Sequence, residues 1–487
     1  MAADAGAPPR AASPWPVILV VCLGAFVGQV DASIVQLALP TLERAFDSGL
    51  AAVGWVSIGY SLAFAAALPV FARLAEMGHR KVMYVAGFAL FGLFSALCGF
   101  APSLGWLVGF RVLQGASGAL LGANSIVILV LASGAAMRGR ALGIFATAQA
   151  VGVCLGPALG GVILGSLSWH WIFWVTVPVA VVATALGWWF VPADHASGVH
   201  ERFDVPGALL LVPALAASLL AVTELQSWSA AAIVGVLVVV AALGVGFVVR
   251  ERRTEAPLLQ LGLFRSRAFS GGTIAVLLSY ALLYGMFFAM SFALVNGYAD
   301  SPLAAGLHLA VVPLALGLVA PFAGGWADRH PRRIMLIGMA LCVVALGPLA
   351  ANLRASGSMP VVLVALAVYG AGLGCFIAPN NNATLRAAPP EHAGQAGGLL
   401  NLMRAFGTAT GVAAMSSMLA WRLAAITGTT TGTHTVPPSA LLDAVRQSLV
   451  LLALFAVAAA IAATLRDRPT RTGAAAHDDG PQVGLPA

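Results

Sequence analysis

The sequence predicts an all-α protein that crosses a membrane about fourteen times, and three observations carry this prediction. Of the 487 residues, 60% are hydrophobic and only 9% are charged, whereas a soluble domain carries about a quarter charged residues. The apolar residues fall into stretches close to the roughly 20 residues that one spanning helix requires. Basic residues gather in alternate connections between those stretches, the pattern that orients membrane helices.

The predicted spans follow one another with short connections. They cover residues 16–39, 51–72, 82–101, 104–132, 141–165, 171–191, 205–226, 229–249, 270–296, 303–326, 333–352, 361–384, 395–421 and 447–465. Residues 1–15 and 466–487 are rich in Pro, Gly and Ala, which predicts two tails.

The basic residues predict the orientation of the chain. With the amino terminus in the cytoplasm, the outer side receives Arg44, Arg354, Arg422 and Arg446. Arg111 and Arg404 fall within spans, and the other Lys and Arg residues lie on the cytoplasmic side, as the positive-inside rule requires. We therefore expect a multi-pass protein of the cytoplasmic membrane with both termini inside.

The chain also repeats itself. Segment 72–81 reads ARLAEMGHRK, and segment 324–333 reads GGWADRHPRR, with the acid and the paired basic residues in register. Gly143, Gly152 and Gly156 align at nearly the same offset with Gly398, Gly407 and Gly411. Ordered matches at one offset indicate duplication of a six-helix unit. The prediction is a six-helix half at 16–191, two inserted helices at 205–249 and a second half at 270–465.

Composition excludes several classes of function. The net charge of +7 is scattered among the connections, which argues against a nucleic-acid surface. The five cysteines lie in apolar segments without CxxC spacing, so we expect neither a disulfide framework nor a metal site. No Walker A, HExxH or GxSxG pattern occurs, which makes a membrane enzyme a distant alternative. No cofactor is expected.

Four ordered motifs resemble those of one transporter family. They are DASIVQLALP at 31–40, the basic loops at 72–81 and 324–333, RVLQGASGA at 111–119 and GVCLGPALGG at 152–161. Together they resemble the major facilitator superfamily, in particular its fourteen-span drug:proton antiporters. The resemblance implies a major facilitator fold with two pseudo-symmetric halves, which rock to exchange protons for an exported compound.

Two charges within spans are the predicted proton-coupling residues. Asp31 lies deep in the first span, where a carboxylate costs at least a few kcal/mol, and Arg111 lies in the fourth. The second half keeps neither charge, since Leu366 aligns with Arg111 and Leu283 to Tyr284 lie near the counterpart position of Asp31. The resemblance implies proton coupling for Asp31. The alternatives are a structural carboxyl bonded to a neighbouring helix and an arginine that reaches the outer surface.

The two basic loops are predicted to form a cytoplasmic gate, in which acids pair with arginines in one conformation. The gate residues are Glu76, Arg80, Lys81, Arg138, Arg140, Asp328, Arg329, Arg332 and Arg333. An ordinary charged loop that only sets topology is the alternative.

The segment 152–161 carries the motif that the resemblance associates with antiport. Its members are Gly152, Gly156, Pro157, Gly160 and Gly161. Glycines let helix backbones approach closely and a proline bends a helix, so tight packing is expected whatever else the motif does.

Polar residues inside spans predict the substrate cavity, although each of them could instead bond two helices together. They are Gln36, Asn124, Gln149, Tyr284, His308, Asn380, Asn401 and Arg404. His308 is also a candidate second proton site. Arg404 aligns with Gln149 in the repeat, which predicts equivalent positions on the cavity wall.

The function expected from these features is proton-driven export of an amphipathic small molecule, aromatic or cationic, such as a drug or an antibiotic-like natural product. The protein is expected to act as a monomer in the lipid bilayer. A facilitator without proton coupling and a solute-uptake permease are the closer alternatives.

Overall fold

The computed structural model describes residues 13–193, 204–224, 228–254, 257–327, 329–389, 392–428 and 432–465. These residues form helices and connections without a β-strand, so the all-α prediction is confirmed for the part described. Most of the predicted tails, residues 1–12 and 466–487, lies outside the described ranges.

Fourteen helices in the described part are long and apolar enough to cross a membrane. They are α1 Trp15–Ala45, α2 Leu50–Ala75, α3 Arg80–Gly99, α4 Leu104–Gly134, α5 Met137–Ser166, α6 Trp171–Phe190, α7 Val205–Thr223, α8 Ala230–Glu251, α9 Arg267–Gly297, α10 Pro302–Ala327, α11 Pro331–Asn352, α12 Met359–Arg386, α13 Ala393–Thr427 and α14 Pro438–Thr464. Each predicted span overlaps one of them in order.

Helix ends follow local chemistry that hydropathy alone does not reveal. Helix α14 begins at Pro438, well before the predicted residue 447, because proline fits the first turn of a helix. Its early turns also carry an ion pair of 3.0 Å between Asp443 and Arg446. Helices α4 and α5 are joined at Gly134, whose φ of +63° favours glycine.

The helices on either side of the insert meet along three main contacts. Helix α2 packs against α13, α1 against α9, and α5 against α10. We call the end of the bundle where α1 begins, which carries Arg73, Arg80, Lys81, Arg138 and Arg140, the basic end. The other end, where α1 ends and α10 begins, is called the far end.

The inserted helices lie at the periphery of this arrangement. Helix α8 packs on α7 and is the least buried of the spans. Helix α7 contacts both α2 and α13, and Ser417 donates 2.9 Å hydrogen bonds to the carbonyls of Val222 and Thr223. The insert therefore touches the junction of α2 with α13 from outside.

Candidate functional site

A fully buried ion pair joins α1 to α4. Arg111 Nη1 lies 2.7 Å from Asp31 Oδ2, and the two side chains are 1% and 0% exposed. Gln114 Nε2 donates to Asp31 Oδ1 at 3.0 Å, and Gln114 Oε1 accepts from Arg111 Nη1 at 2.8 Å. Arg111 Nε also donates to the carbonyl of Val56 at 3.1 Å. Both carboxylate oxygens therefore have a donor, as a buried charge requires.

Gln114 is a member of this cluster that the sequence analysis did not single out. It follows Arg111 by three residues on α4, a spacing that places two side chains on one helix face. That spacing within the RVLQ segment is the signal that could have identified it.

Aromatic rings cover the arginine of the pair. The Tyr60 ring lies 4.2 Å from Arg111 Cζ, and the Phe173 ring lies 5.8 Å from it. Tyr60 is itself buried and contributes to the wall of the cavity described next. A displacement of Arg111 would therefore act on that wall through Tyr60.

A central cavity of about 850 Å³, including the part open to its surroundings, lies between the halves. Its walls come from α1, α2, α3, α4, α5, α9 and α13, and they include the predicted Gln149, Tyr284, Asn401 and Arg404. Arg404 Nη1 donates to Gln149 Oε1 at 3.4 Å, and its guanidinium lies 5.0 Å from the Tyr280 ring. Half of the predicted cavity residues thus meet in one place.

A second cavity, of about 1120 Å³ including its open part, continues toward the basic end. We call it the vestibule. Gly122 and Asn401 line both cavities, and the vestibule also contains the predicted Asn124 together with Arg73 and Arg80. The central cavity is therefore approached from the basic end.

Three predicted cavity residues lie away from both cavities and bond neighbouring groups. Gln36 Nε2 donates to Ser57 Oγ at 2.6 Å, and Asn380 Nδ2 donates to the Gly272 carbonyl at 3.0 Å. His308 Nδ1 lies 2.9 Å from Asp300 Oδ2 near the far end. Helix-to-helix bonding was the alternative that the sequence left open for such residues.

The glycines of the antiporter motif allow α5 to pack closely against two helices. A Cβ atom at Gly152 would lie 2.7 Å from the Phe26 carbonyl oxygen, and one at Gly160 would lie 3.0 Å from Ile34 Cγ1. Both neighbours belong to α1, the helix that carries Asp31, and Gly156 also faces that helix. Gly161 instead faces α10, where a Cβ atom would lie 2.7 Å from the Pro302 carbonyl oxygen. Pro157 lies on the same α10 contact.

The basic residues of the predicted gate lie at the basic end. Arg80, Lys81, Arg138, Arg140, Arg329, Arg332 and Arg333 occupy described positions there. Lys81 Nζ lies 5.5 Å from the Trp188 ring, and Arg140 lies over Trp15 at 5.2 Å. Asp328 and the Glu76 side chain fall outside the described part, and so does the expected pairing of Glu76 with Arg138 or Arg140.

At the far end, a polar cluster that the sequence did not indicate joins distant parts of the chain. Glu43 is 0% exposed and accepts hydrogen bonds from the Thr433 amide at 2.7 Å and from the Thr433 hydroxyl. Asn296 donates to the same hydroxyl at 2.7 Å and accepts from Arg44 at 3.0 Å. Since Glu43 and Arg44 are adjacent at a helix end, they looked like ordinary loop charges.

Comparison with known proteins agrees with this architecture. A sequence profile described as the Major Facilitator Superfamily matches residues 21–412 and 272–483. The chain is 30% identical to the riboflavin transporter RibZ of Clostridioides difficile over 84% of this chain and 89% of that protein. It is 32% identical to the multidrug resistance protein Stp of Mycobacterium tuberculosis over 83% of this chain and 75% of that protein.

The fold agrees as well. A bacterial homologue of the human lysosomal transporter Spinster, solved in an inward-facing unoccupied conformation, aligns with 95% of this chain and 100% of that one. The TM-score is 0.67 at 15% identity, which bears on the fold alone. The described part of this chain has fourteen helices long and apolar enough to cross a membrane, a buried ion pair and a cavity between two groups of helices. The chain is a membrane transporter, not an enzyme, and it belongs to the Major Facilitator Superfamily.

Proposed function

We propose that this transporter is a proton-coupled antiporter that exports amphipathic compounds, drugs or an antibiotic-like natural product, across the cytoplasmic membrane. The observation that carries the proposal is the Asp31–Arg111 pair, buried beside the cavity and linked to it by Tyr60. An ionisable group in this position marks a proton or substrate pathway by default. The similarity to a multidrug resistance protein favours export of drug-like molecules.

The positive-inside rule assigns the basic end to the cytoplasm. In that orientation the vestibule opens inward, and the Glu43–Thr433 contact closes the outer side. Substrate enters from the cytoplasm, and rocking of the halves then exposes the central cavity to the outside. The protein acts as a monomer without a bound cofactor, and the proton gradient drives the exchange.

Proton transfer at Asp31 is the coupling step. A proton on the carboxyl removes the charge that holds Arg111, so the guanidinium loses its strongest bond. Arg111 lies against Tyr60, and Tyr60 lines the cavity, so a change at the pair alters the wall that contacts substrate. Coupling of this kind is reciprocal, because substrate then changes proton affinity by the same factor.

Proton release tests the proposal. Two xanthene dyes of similar shape and opposite charge, anionic fluorescein methyl ester and cationic tetramethylrhodamine methyl ester, cover both substrate charges. We expect at least one of them to release protons from the purified protein in weak buffer, and to accumulate in inverted vesicles under a proton gradient. Asp31→Asn should abolish both signals, and Asp443→Asn, which alters a partly exposed pair far from the cavity lining, should preserve them.

Two results would contradict the proposal. Equal proton release from the wild type and Asp31→Asn would assign Asp31 a structural role. Dye equilibration across the membrane without proton movement would identify a facilitator, and inward dye movement would identify an uptake permease.

A further inference from the structure

The charge of the central cavity is positive. Among its described lining residues Arg404 is the one charged side chain, and neither aspartate nor glutamate contributes to the lining. Asp31 lies outside the lining, and its charge is matched by Arg111 at 2.7 Å. The cavity wall therefore presents one cation to its contents.

Arg404 has neutral partners among the described residues. Among those residues its guanidinium makes one hydrogen bond, the 3.4 Å bond to the Gln149 amide oxygen, which is long for such a contact. Its guanidinium also lies 5.0 Å from the Tyr280 ring, a contact that leaves the charge in place. A partly buried guanidinium without a carboxylate partner can bind an acid group with two of its nitrogens side by side.

The vestibule extends the positive charge toward the basic end. Arg80 lines it, and its described lining again contains no aspartate or glutamate. A cleft lined by charge of one sign raises the local concentration of ligands of the opposite sign. An anion therefore meets a favourable potential along the path to Arg404, and a cation meets an unfavourable one.

The walls around Arg404 favour flat rings. Tyr60, Phe64, Phe91, Phe145, Tyr280 and Tyr284 line the central cavity. Aromatic walls with one cation define a ligand that combines fused rings with an acidic group.

We infer that the central cavity selects planar aromatic anions, such as ring systems that carry a carboxylate or an ionised phenol, with Arg404 as the residue that binds the acidic group. This inference rests on the proposed export function. The sequence led us to expect an aromatic or cationic substrate, and the inference keeps the aromatic rings but replaces the cation with an anion. Cations are disfavoured because they would lie beside the positive charge of Arg404.

The two xanthene dyes test the inference directly, because they share a fused-ring skeleton and differ in charge. Binding to the purified full-length protein is measured by fluorescence anisotropy at mildly alkaline pH, where the phenol of fluorescein methyl ester is ionised. We expect the wild type to bind the anionic dye about tenfold more tightly than the cationic dye. Arg404→Gln should remove that preference, and Arg404→Lys should keep most of it.

Arg354→Gln is the matched control, because Arg354 lies exposed at the far end and its loss changes net charge equally. It should leave both affinities unchanged. Equal binding of the dyes by the wild type, tighter binding of the cation, binding of neither dye, or an unchanged preference in Arg404→Gln would each overturn the inference. If Arg404→Gln does not fold, the wild-type comparison and Arg404→Lys still decide the result.

This experiment separates the inference from the proposed function. A protein that binds the anion but moves no protons would contradict the coupling alone. A protein that exchanges protons for the cationic dye and not for the anionic dye would contradict the charge selection alone.

Discussion

Arg404 on α13 donates a hydrogen bond to Gln149 on α5, and these two residues are counterparts in the internal repeat, 255 positions apart. In a pair of halves related by a pseudo-two-fold axis, equivalent positions meet only near that axis. The Arg404–Gln149 contact therefore marks the centre of the transporter. One half supplies a cation at this point, and the other supplies a neutral amide.

Gln149→Glu should neutralise the cavity without removing Arg404. The new carboxylate would lie within reach of the guanidinium, which now bonds the Gln149 amide oxygen. We expect the affinity for fluorescein methyl ester to fall by about tenfold, an effect of about 1.4 kcal/mol. Anisotropy titration measures it. Gln149→Met, similar in length and neutral, should retain the anion preference, and loss of that preference in both variants would show that shape rather than charge is responsible.

Asp31 and Arg111 should stabilise the fold only as a pair. Asp31→Asn leaves a buried guanidinium without its carboxylate, and Arg111→Gln leaves the carboxylate without its strongest donor. Removing one partner of a buried pair costs about 3–5 kcal/mol. We expect the combined Asp31→Asn, Arg111→Gln protein to unfold at a higher temperature than either single variant. Additive losses in a thermal double-mutant cycle would contradict this expectation.

Glu43→Gln should weaken the closure of the far end. The glutamine can still accept from the Thr433 amide, but it loses the charge that now receives both Thr433 donors. Spin labels are attached at the exposed positions Ser168 and Ser356 of a variant whose native cysteines have been replaced. The distance between the labels, measured by double electron–electron resonance, reports the width of this end. We expect longer distances in Glu43→Gln and unchanged ones in the control Asp443→Asn. Identical distributions in wild type and Glu43→Gln would rule out a closing role.

Gly161→Ala and Gly165→Ala should change stability in opposite directions. Both glycines lie on α5, but a Cβ at Gly161 would meet the Pro302 carbonyl oxygen at 2.7 Å, and one at Gly165 meets nothing within 4 Å. Alanine at the open position should add about 0.5–1 kcal/mol. At Gly161 it forces α5 away from α10, and overpacking typically costs about 1–3 kcal/mol. Thermal unfolding in detergent measures the stability of both variants. Equal shifts of the unfolding temperature in the two variants would contradict the close contact between α5 and α10.

The fold was predictable because a spanning helix is set by a local property, the length of an apolar stretch. Helix α14 begins before its predicted start because its first turns carry the charged residues Asp443 and Arg446, so they do not belong to an apolar stretch. The site was predictable only in part. A charge within a span identifies Asp31 and Arg111 individually, but the partners of each depend on how helices are rotated against one another.

Contacts between distant parts of the chain could not be predicted from the sequence. Glu43 meets Thr433 across 390 positions, and no local pattern in either segment indicates this contact. Gln36, Asn380 and His308 have the same polar character as the cavity residues, yet Gln36 and Asn380 bond to other helices and His308 contacts Asp300 in a connection. The internal repeat gave a relationship that hydropathy could not give. It aligned Gln149 with Arg404 without any knowledge of helix rotation, and the two side chains are in contact.

The positive cavity has an electrical consequence for the exporter proposed here. An anion that leaves the cytoplasm and a proton that enters it carry charge across the membrane in the same electrical sense. Each charge moved through the membrane potential is worth about 2.3 kcal/mol per 100 mV. One proton exchanged for a monovalent anion would therefore draw on the potential twice, whereas exchange for a monovalent cation would be electrically silent. With Arg404 at its centre, such a transporter could empty the cell of acidic compounds on voltage alone, even where no pH gradient exists.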